Sequence, residues 1–536
     1  MEVALILIIS ELLNRDNDEE KAGGHISQVI FNDGTTLNIK KNSIVIFVGP
    51  NNVGKSQALR DIYELCDVKK PSIVVKDIKI VHSKVPYKTM MPNITKATNR
   101  GDDMEYDGFN IHVNSMSIIG NLEKEYSYFA LRNAFVAFLD TEKRLNITEP
   151  PRSIEAFAVK DHPIHYAAFD TKYRKWLSDN YKMAFKEPIT PDICFGATVP
   201  LCIGEVDYQY NQSLNIITNI EKYASKLNAL PKVHEQGDGI RSFVGILLYL
   251  MMDYYRTFLI DEPEAFLHAP QTKIMGEIIG KTLTNNQQAF ISTHSVNIIK
   301  GLLDICPDRV TVVRITRDRS NNFAILDNDK IKEVWKDSLL RHSNILDGLF
   351  YKNVVLCESD SDCKMYSIID EYIKNSQKCF SETLFTYCGG KSRMASASII
   401  LKALKVDVKL IPDLDFINNE KEFRKIVEAC GINWIEVEKD YKIVLAALKN
   451  ENLCKRLKSV GEDLIPSGTV SQAFKQLKNI LNSYGIFPVP VGELERFCAD
   501  VGEHGQNWVN GVLEKHPDLG DTVYKDIIDF ISSIKL

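Results

Sequence analysis

The segment Gly49–Ser56, GPNNVGKS, constrains the fold of this chain more than any other. It matches GxxxxGK[ST], the glycine-rich loop that binds nucleotide phosphates, and it lies between an apolar run, Ile44–Val48, and a helix predicted over Gln57–Tyr63. In that context, amides of the loop and of the helix N-terminus bind phosphate oxygens. Lys55 is expected to reach the β- and γ-phosphates, and Ser56 is expected to hold Mg²⁺. The residues predicted to bind ATP in this loop are Gly49, Asn51, Asn52, Gly54, Lys55 and Ser56.

Two later apolar runs end in residues that suit ATP hydrolysis. Phe258–Ile260 is followed by Asp261 and Glu262. Asp261 is expected to bind Mg²⁺, directly or through water, and Glu262 is expected to orient the attacking water. The second run, Ala289–Ile291, leads to His294, which can sense the γ-phosphate by hydrogen bonding. The order and spacing of these motifs predict an ATPase.

A second glycine-rich segment, Gln236–Ser242 (QGDGIRS), precedes an apolar helix predicted over Phe243–Met252. Its glycines, its serine and the helix start form a second cluster of amides able to bind phosphate, and we assign Gly239 and Ser242 to nucleotide binding. Because the chain already has its own phosphate loop, this cluster is expected to cap a nucleotide held by another protomer. The sequence therefore predicts an ATP-dependent, head-to-head homodimer or a higher homo-oligomer.

The length and composition set the class of protein. A chain of 536 residues favours two or three domains, and 44% hydrophobic with 25% charged residues is typical of a soluble globular protein. The eleven cysteines form no CxxC pair, as expected of reduced thiols in the cytoplasm. No run reaches the ~20 apolar residues of a membrane helix, so we predict no membrane partner. We favour a buried helix over an interaction surface for Met1–Leu13.

Changes of pattern along the chain indicate how it is organised. An Asn-Asp-Gly turn at 32–34 between two short runs predicts a β-hairpin. Residues from about 86 to 230 have the character of an insertion, mainly helical, with helices predicted over Glu123–Leu139 and Leu214–Leu230. Helix and strand alternate from Gly239 to Leu326, which is typical of an α/β layered domain. We place one domain at 1–350 and a second α/β domain at 351–536.

Carboxylates follow two apolar runs in the second domain. Val354–Cys357 ends in Glu358, and Val408–Ile411 is followed by Asp413 and Asp415. Parallel strands place their carboxyl ends at one edge of a sheet, so these acids are expected to converge. Acids gathered there repel one another unless cations neutralise them, which predicts a Mg²⁺ or Mn²⁺ site. Such a site can activate water for phosphodiester hydrolysis.

The motifs GPNNVGKS, GDGIRSF, LIDEPEAFLHAPQ and STHS, in this order, resemble the ABC-type ATPase domain of the OLD (overcoming lysogenisation defect) family of nucleases. Ala269 stands where that family usually has the first proline of LHPPQ. The resemblance implies an ABC-type P-loop ATPase domain whose insertion, about 86–230, mediates dimerisation.

The carboxylate motifs resemble the Toprim domain, a Rossmann-like α/β domain, of the same family. Asp362 matches the second acid of its first motif, and Ser359 replaces the usual glycine. The resemblance implies a two-metal site, with Glu358, Asp413 and Asp415 at one metal and Asp362 with Glu495, in the segment VGELE, at the other. It also implies that a lysine after the paired glycines, Lys391, neutralises phosphate charge.

We therefore expect an ATP-regulated, metal-dependent DNA endonuclease in bacterial defence against phage. Two alternatives stay open: a Toprim ribonuclease acting on RNA or tRNA, and an ATP-dependent sensor or scaffold that works only with a partner. The resemblance also allows a defence-system partner, for example a retron reverse transcriptase with its RNA–DNA product. Candidates for contacting a phosphate backbone are Lys402, Lys405, Lys409, Lys421, Arg424, Lys425, Lys455, Arg456 and Lys458.

Overall fold

The computed structural model describes residues 20–536 apart from 87–88, 91–94, 101–102, 116–127, 129–130, 156–157, 195, 318, 327, 337–343, 449–451 and 535. The predicted helix at Met1–Leu13 lies outside the described residues. The chain forms two compact units: the described residues of 1–48 and 52–328 make up the first, and residues 49–51 with those of 329–536 make up the second. The domain boundary predicted at residue 350 therefore falls inside the second unit, and it stays a prediction.

A six-stranded sheet forms the centre of the first unit, with strand order β14-β13-β3-β12-β11-β8. Its strands are β3 (Ile44–Val48), β8 (Val136–Leu139), β11 (Thr257–Asp261), β12 (Gln288–Ser292), β13 (Val310–Arg317) and β14 (Asn321–Leu326). Neighbouring strands are parallel except β14, which pairs antiparallel with β13. Every residue of β3 and β12 is buried, which is why these strands are nearly continuous apolar runs. The α/β fold is confirmed.

Smaller sheets surround this centre. The predicted β-hairpin is confirmed, because β1 (Gly24–Phe31) pairs antiparallel with β2 (Thr36–Asn38) across the Asp-Gly turn, and β4 (Val75–His82) pairs with the other edge of β1. The insertion is not all helical. It also contains the strands β5 (Thr95–Arg100), β6 (Asp103–Gly108), β7 (Ile111–Asn114), β9 (Ile189–Pro191) and β10 (Leu201–Ile203).

The helices of the first unit include the one expected after the phosphate loop. They are α1 (Lys55–Leu65), α2 (Arg132–Phe135), α3 (Thr141–Asn146), α4 (Pro163–Phe169), α5 (Thr171–Phe185), α6 (Ile216–Asn228), α7 (Asp238–Leu250), α8 (Ala269–Thr282) and α9 (Val296–Ile305). Helix α10 (Asn328–Lys336) begins at the last residue of this unit. Helix α7 is apolar nearly all round, and it is buried from Ser242 to Leu250.

One predicted helix is wrong at its end, and another is confirmed. Of the helix expected over Glu123–Leu139, residues 123–127 and 129–130 lie outside the described residues, and Arg132–Phe135 is helical. Val136–Leu139 is a strand instead, because it pairs in parallel with β11 as the edge of the main sheet. All four residues of this apolar run, VAFL, are buried, as expected of a strand that is covered on both faces. The helix expected over Leu214–Leu230 is present as α6.

The second unit is built on a three-stranded parallel sheet with the order β16-β15-β17. The strands are β15 (Asn353–Cys357), β16 (Thr383–Tyr387) and β17 (Asp407–Ile411). The helices are α11 (Asp360–Ser376), α12 (Lys391–Ala403), α13 (Glu420–Ala429), α14 (Trp434–Leu448), α15 (Leu453–Val460), α16 (Thr469–Ser483), α17 (Gly505–Lys515) and α18 (Lys525–Ser533). Short 3₁₀ helices occupy Ile345–Phe350, Leu414–Asn418 and Leu494–Cys498.

One apolar cluster of the second unit packs helices α11, α17 and α18 against this sheet. Val355 and Ile411 pack with Tyr366 of α11, Trp508 of α17 and Ile527 of α18, all of them buried. This packing fixes the carboxyl ends of β15 and β17 relative to α11. In neither unit is any described helix long and apolar enough to cross a lipid bilayer.

Candidate active sites

The phosphate loop, which directly follows β3, has the backbone that its sequence predicts. Gly49 and Gly54 have φ values of 137° and 99°, in the region that favours glycine, and Asn52 has a φ of 61°. A Cβ added to Gly54 would lie 2.9 Å from the Cγ2 of Val74, so the loop also needs glycine there for space. Helix α1 begins directly at Lys55, which places its first amides beside the loop.

Lys55 is a buried cation surrounded by the acids of the hydrolysis motif. Its side chain is only 5% exposed. Burial lowers the pKa of the Lys55 ammonium to about 8, although the charges of Glu262, Glu264 and Asp261 oppose this shift. A bound phosphate would add negative charge and stabilise the ammonium. The position and charge of Lys55 therefore fit its predicted role.

Asp261, Glu262 and His294 come together at the carboxyl ends of β11 and β12. The Ser292 hydroxyl donates a hydrogen bond to Asp261 Oδ1. The Glu262 amide donates to the Ser292 carbonyl at 3.0 Å, and Glu262 has a φ of 47°. His294 Nε2 lies 3.4 Å from Glu262 Oε1. Burial, and then the charge of Lys55, lower the pKa of His294, which favours its neutral form.

Two residues that support this site were missed by the sequence interpretation. Glu264 is half-buried, and its carboxylate accepts a hydrogen bond from the His294 amide at 2.5 Å, which fixes the backbone at the histidine. Burial raises the pKa of Glu264. Arg144 is fully buried and donates to the backbone carbonyl of Asp261. The acidic run after Asp261 could have indicated Glu264, whereas no sequence pattern indicated Arg144.

The second glycine-rich segment fits its prediction only in part. Gly237 and Asp238 are exposed at the start of α7, as an intermolecular phosphate contact requires. A Cβ on Gly239 would lie 2.6 Å from the Phe266 carbonyl, so this glycine allows close packing. Ser242, however, is fully buried in the second turn of α7. The predicted contact of Ser242 with a nucleotide of another protomer stays a prediction, and in the single protomer its side chain is buried.

In the second unit, the acids of the two strand ends converge as predicted. One ligand oxygen from each of Glu358, Asp413 and Asp415 lies within 4.8 Å of the others. The register brings them together, because Cys357 of β15 pairs with Ile411 of β17. The Asp413 amide donates to Glu358 Oε1 at 2.9 Å, which holds the two strand ends in place.

Two lysines neutralise these acids in the structure. Lys391, at the start of α12, contacts Asp415 Oδ1 closely and lies 3.8 Å from Glu358 Oε1. Lys458, near the end of α15, lies 2.6 Å from Asp413 Oδ2. The sequence motif indicated Lys391 as a site residue. Lys458 was only one of nine backbone-contact candidates, because nothing in its own sequence links α15 to the strand ends.

The protonation of these acids reflects burial and crowding. Burial, followed by the charge of Asp413, raises the pKa of Glu358 to about 8. The same two causes, in the same order, raise the pKa of Asp362 to about 7. Burial also raises the pKa of Asp413. A divalent cation would favour the ionised forms of all three groups.

The two residues predicted to hold a second metal take different positions. Asp362 Oδ2 accepts a hydrogen bond from the Ser359 amide at 2.9 Å, and the charges of Asp413 and Glu495 act on it. Glu495 groups instead with Glu493 and His504, with ligand atoms within 4.8 Å of one another. Among the described residues, Asp362 belongs to no group of three or more possible metal ligands whose atoms all lie within 4.8 Å of one another. The second metal site therefore stays a prediction.

Ser359, which stands where the motif that this segment resembles usually has glycine, acts as a helix cap. Its hydroxyl accepts a hydrogen bond from the Asp362 amide at 3.2 Å while Asp362 bonds back to the Ser359 amide. This reciprocal pair is a capping box at the start of α11. The departure from glycine therefore leaves the turn after β15 intact and orients Asp362.

The fold and the two sites define an α/β protein with a P-loop ATP site in one unit and a carboxylate centre suited to divalent cations in the other. No family model matches the chain. Over 169 residues, 30% of the chain, it is 24% identical to the Old nuclease of Escherichia phage P2. The chain spans 28% of the length of that protein. The match fits the resemblance of the motifs to the OLD family of ATPase nucleases.

The solved structures similar to this chain include an SMC head domain and an ABC transporter cassette. The SMC head domain from Thermotoga maritima is 8% identical, covers 56% of this chain and 99% of its own, and gives a TM-score of 0.30. The dimeric structure of MJ0796, a bacterial ABC transporter cassette, is 12% identical, covers 55% of this chain and 94% of its own, and gives a TM-score of 0.26.

Proposed function

We propose that this protein is an ATP-regulated, divalent-metal-dependent DNA endonuclease, acting in the bacterial cytoplasm in defence against phage. The convergence of Glu358, Asp413 and Asp415 at the strand ends of the second unit carries the proposal. It is supported by the phosphate loop and by the similarity to the Old nuclease of Escherichia phage P2.

The three carboxylates suit a hard cation such as Mg²⁺ or Mn²⁺, which prefers oxygen ligands. Asp413 and Asp415 are buried, and Glu358 is half-buried, so the centre offers several negative charges with little water to screen them. When bound, the metal would activate a water molecule and stabilise the leaving oxygen of a phosphodiester. Glu358, Asp413 and Asp415 would hold it.

The two lysines have a role that follows from their positions. Lys391 and Lys458 neutralise Asp415 and Asp413 in the structure. Once a cation takes over that neutralisation, both ammonium groups remain beside the centre and can pair with the non-bridging oxygens of a phosphate. The chain thereby supplies its own cations to position a nucleic acid backbone.

The ATP site is proposed to control access to this centre through a homodimer. Lys55, Asp261, Glu262 and His294 lie together in one protomer, and the exposed start of α7 is available to a nucleotide of a second protomer. ATP binding would then join two protomers, as the sequence predicts. A defence-system partner would act on this dimer.

The proposal is tested by incubating the purified protein with supercoiled plasmid and, separately, with a structured RNA. Each substrate is assayed with Mn²⁺, with and without ATP, and with EDTA. We expect nicking or linearisation of the plasmid that requires Mn²⁺ and changes with ATP. Cleavage of the RNA alone would replace DNA with RNA as the substrate. ATP hydrolysis without cleavage of either substrate would favour the sensor or scaffold and contradict the nuclease.

A further inference from the structure

The first unit contains a cavity of about 520 Å³ that is separate from the ATP site. It lies beside the edge strand β8 of the main sheet, between α1, α3, α7 and the β6–β7 turn. None of the residues assigned above to ATP belongs to its described lining. Its volume is in the range of cavities that bind small molecules, about 300–1,000 Å³.

Five aromatic side chains, brought together from distant parts of the sequence, line this cavity. They are Tyr63 of α1, Phe109 of the β6–β7 turn, Phe138 of β8, Tyr249 of α7 and Tyr255. The rings of Tyr63 and Phe138 stack at 5.2 Å between centroids, and the rings of Phe109 and Tyr249 lie 5.9 Å apart. Such a lining favours a flat, ring-bearing ligand that can stack on it.

Asparagine side chains in the cavity can form hydrogen bonds with the edge of a planar ligand. Asn110, Asn133 and Asn146 all line it. The Tyr63 hydroxyl donates to Asn133 Oδ1 at 2.8 Å. Each amide carries both donors and acceptors, which matches the mixed edges of a nucleobase.

The charged residues of the lining disfavour phosphate. Asp140 and Glu142 add two carboxylates, and Lys143 is the cation among them. The Lys143 ammonium is already held over the rings of Tyr63 and Phe138, at 5.2 Å and 4.9 Å from their centroids. A nucleoside therefore fits this charge pattern better than a nucleotide.

The wall formed by α3 connects the cavity to both ATP motifs. Lys143 and Asn146 face the cavity, whereas Arg144 of the same helix donates to the backbone carbonyl of Asp261. At the end of α3, the Leu145 carbonyl accepts a hydrogen bond from Arg241 of the second glycine-rich segment at 3.1 Å. A shift of α3 on ligand binding would thus reach Asp261 and α7 together.

The packing of α3 leaves it little freedom to move independently. A Cβ on Gly245 of α7 would lie 2.1 Å from the Arg144 carbonyl, so the two helices are in close contact. Arg241 also pairs with Glu149 at 2.6 Å, just beyond α3. A displacement of α3 must therefore be shared with α7, which starts at the predicted dimer contact.

We infer that this cavity is an effector site for a nucleoside-type ligand, an uncharged molecule that carries a planar heteroaromatic ring. Binding of this ligand changes the ATP site through α3. The inference goes beyond the proposed nuclease activity and does not depend on it.

The test uses the full chain with Glu262→Gln, which slows hydrolysis, saturated with MgATP so that the phosphate loop is filled. Adenosine, guanosine, cytidine, uridine and thymidine are each titrated by calorimetry. We expect at least one nucleoside to bind in the presence of ATP. When ATP is instead titrated into protein saturated with that nucleoside, the ATP affinity should differ at least about fivefold from that of the nucleoside-free protein. Phe109→Ala is expected to weaken nucleoside binding at least about tenfold, since it removes one stacking surface.

Phe380→Ala removes an exposed aromatic ring of the second unit and is the matched control, with no expected effect. If Phe109→Ala no longer binds ATP normally, Asn133→Leu, which changes an exposed side chain of the cavity, takes its place. Absence of binding by all five nucleosides would overturn the inference. So would full competition between nucleoside and ATP, or binding that neither cavity variant weakens.

Discussion

The two sites of this protein are opposite in charge and alike in construction. In the first unit, burial lowers the pKa of a lysine, Lys55, to about 8. In the second, burial raises the pKa of a carboxyl group, Glu358, to about the same value. Each site thus holds an ionisable group whose charged form is disfavoured by burial until a ligand of opposite charge binds. The first is built for an anionic ligand and the second for a cation.

The comparison also shows how each site is held. In the first unit, backbone groups and a buried arginine fix the acids, as Arg144 does at the Asp261 carbonyl. In the second, side-chain lysines contact the acids directly, as Lys458 does at Asp413. We therefore expect the second site to respond more strongly to the loss of single side-chain charges.

The largest expected effect is on metal binding by the second unit. Glu358→Gln should weaken Mn²⁺ binding by more than about 100-fold, because even residues behind metal ligands contribute 10–100-fold to affinity. Asp360→Asn changes an exposed acid of the same motif, paired with Lys364, and should leave Mn²⁺ affinity unchanged. Calorimetric titration with Mn²⁺ measures both. Equal affinities in the two variants would remove Glu358 from the centre.

The matching change in the first unit is Lys55→Ala. It should lower the rate of ATP hydrolysis by about 100-fold or more, since a charged donor to a transferring phosphoryl group is lost. Arg60→Ala, an exposed residue of the same helix, is the control. A phosphate-release assay gives the rates. Mn²⁺ binding should be unaffected by either change, and a parallel loss of both activities would contradict the separation of the sites.

The affinities of the two sites should depend on pH in opposite directions. Mn²⁺ must displace the proton of Glu358, so its affinity should rise as pH rises towards 8. ATP favours charged Lys55, so its affinity should fall as pH rises above 8. Titrations between pH 6 and roughly 9.5 test both trends. Parallel pH profiles would contradict the comparison.

The same shifts predict how stability depends on pH without ligands. Between about pH 4.5 and 8 the folded protein binds more protons at Glu358 than the unfolded chain does, so the free energy of unfolding should fall as pH rises. Between about pH 8 and 10.5 the folded protein binds fewer protons at Lys55 than the unfolded chain does, so Lys55 makes the free energy of unfolding rise as pH rises. Urea unfolding in EDTA measures the first slope, and Glu358→Gln should flatten it.

A smaller effect is expected from Lys458→Met. The substitution leaves the buried Asp413 without a hydrogen bond of 2.6 Å, which should lower the free energy of unfolding by about 2 kcal/mol in EDTA. Mn²⁺ should recover most of that loss by neutralising the acids. Lys364→Met removes an exposed ion pair and should cost less than about 1 kcal/mol. If Mn²⁺ does not recover the free energy of unfolding lost in Lys458→Met, Lys458 does not act on the metal centre.

The smallest effect is expected at Ser359. Ser359→Ala removes the cap of α11 and should lower the free energy of unfolding by about 1 kcal/mol, whereas Ser359→Gly should cost only a few tenths. Thermal unfolding of both variants measures the difference. Nuclease activity should survive in Ser359→Gly, the residue usual in the Toprim motif. Its loss would show that the serine does more than cap the helix.

The sequence predicted the strands that end at the sites better than it predicted their surroundings. Runs such as Ile44–Val48 and Val354–Cys357 are buried on both faces, so their apolar character identifies them without knowledge of the fold. Val136–Leu139 has the same character but follows a helix directly, and only its pairing with β11 makes it a strand. Tertiary contacts therefore determine that Val136–Leu139 is a strand.

The residues of the candidate sites also differ in whether the sequence predicts them. Glu358, Asp413 and Asp415 could be predicted because each follows a recognisable strand. Lys458 could not, because it reaches Asp413 from a helix whose sequence carries no sign of the centre. The burial of Ser242 could not be predicted either, because a serine near a helix start suggests an exposed hydroxyl, while its place in the second turn of α7 buries it in the single protomer.

The most direct test of the central claim is cleavage of supercoiled plasmid by Glu358→Gln and Asp360→Asn, assayed side by side with wild type at one Mn²⁺ concentration. We predict that wild type and Asp360→Asn nick the plasmid at similar rates, and that Glu358→Gln does not nick it although it still hydrolyses ATP. Equal cleavage by Glu358→Gln and wild type would contradict the claim that the carboxylates at the strand ends of the second unit form the nuclease centre.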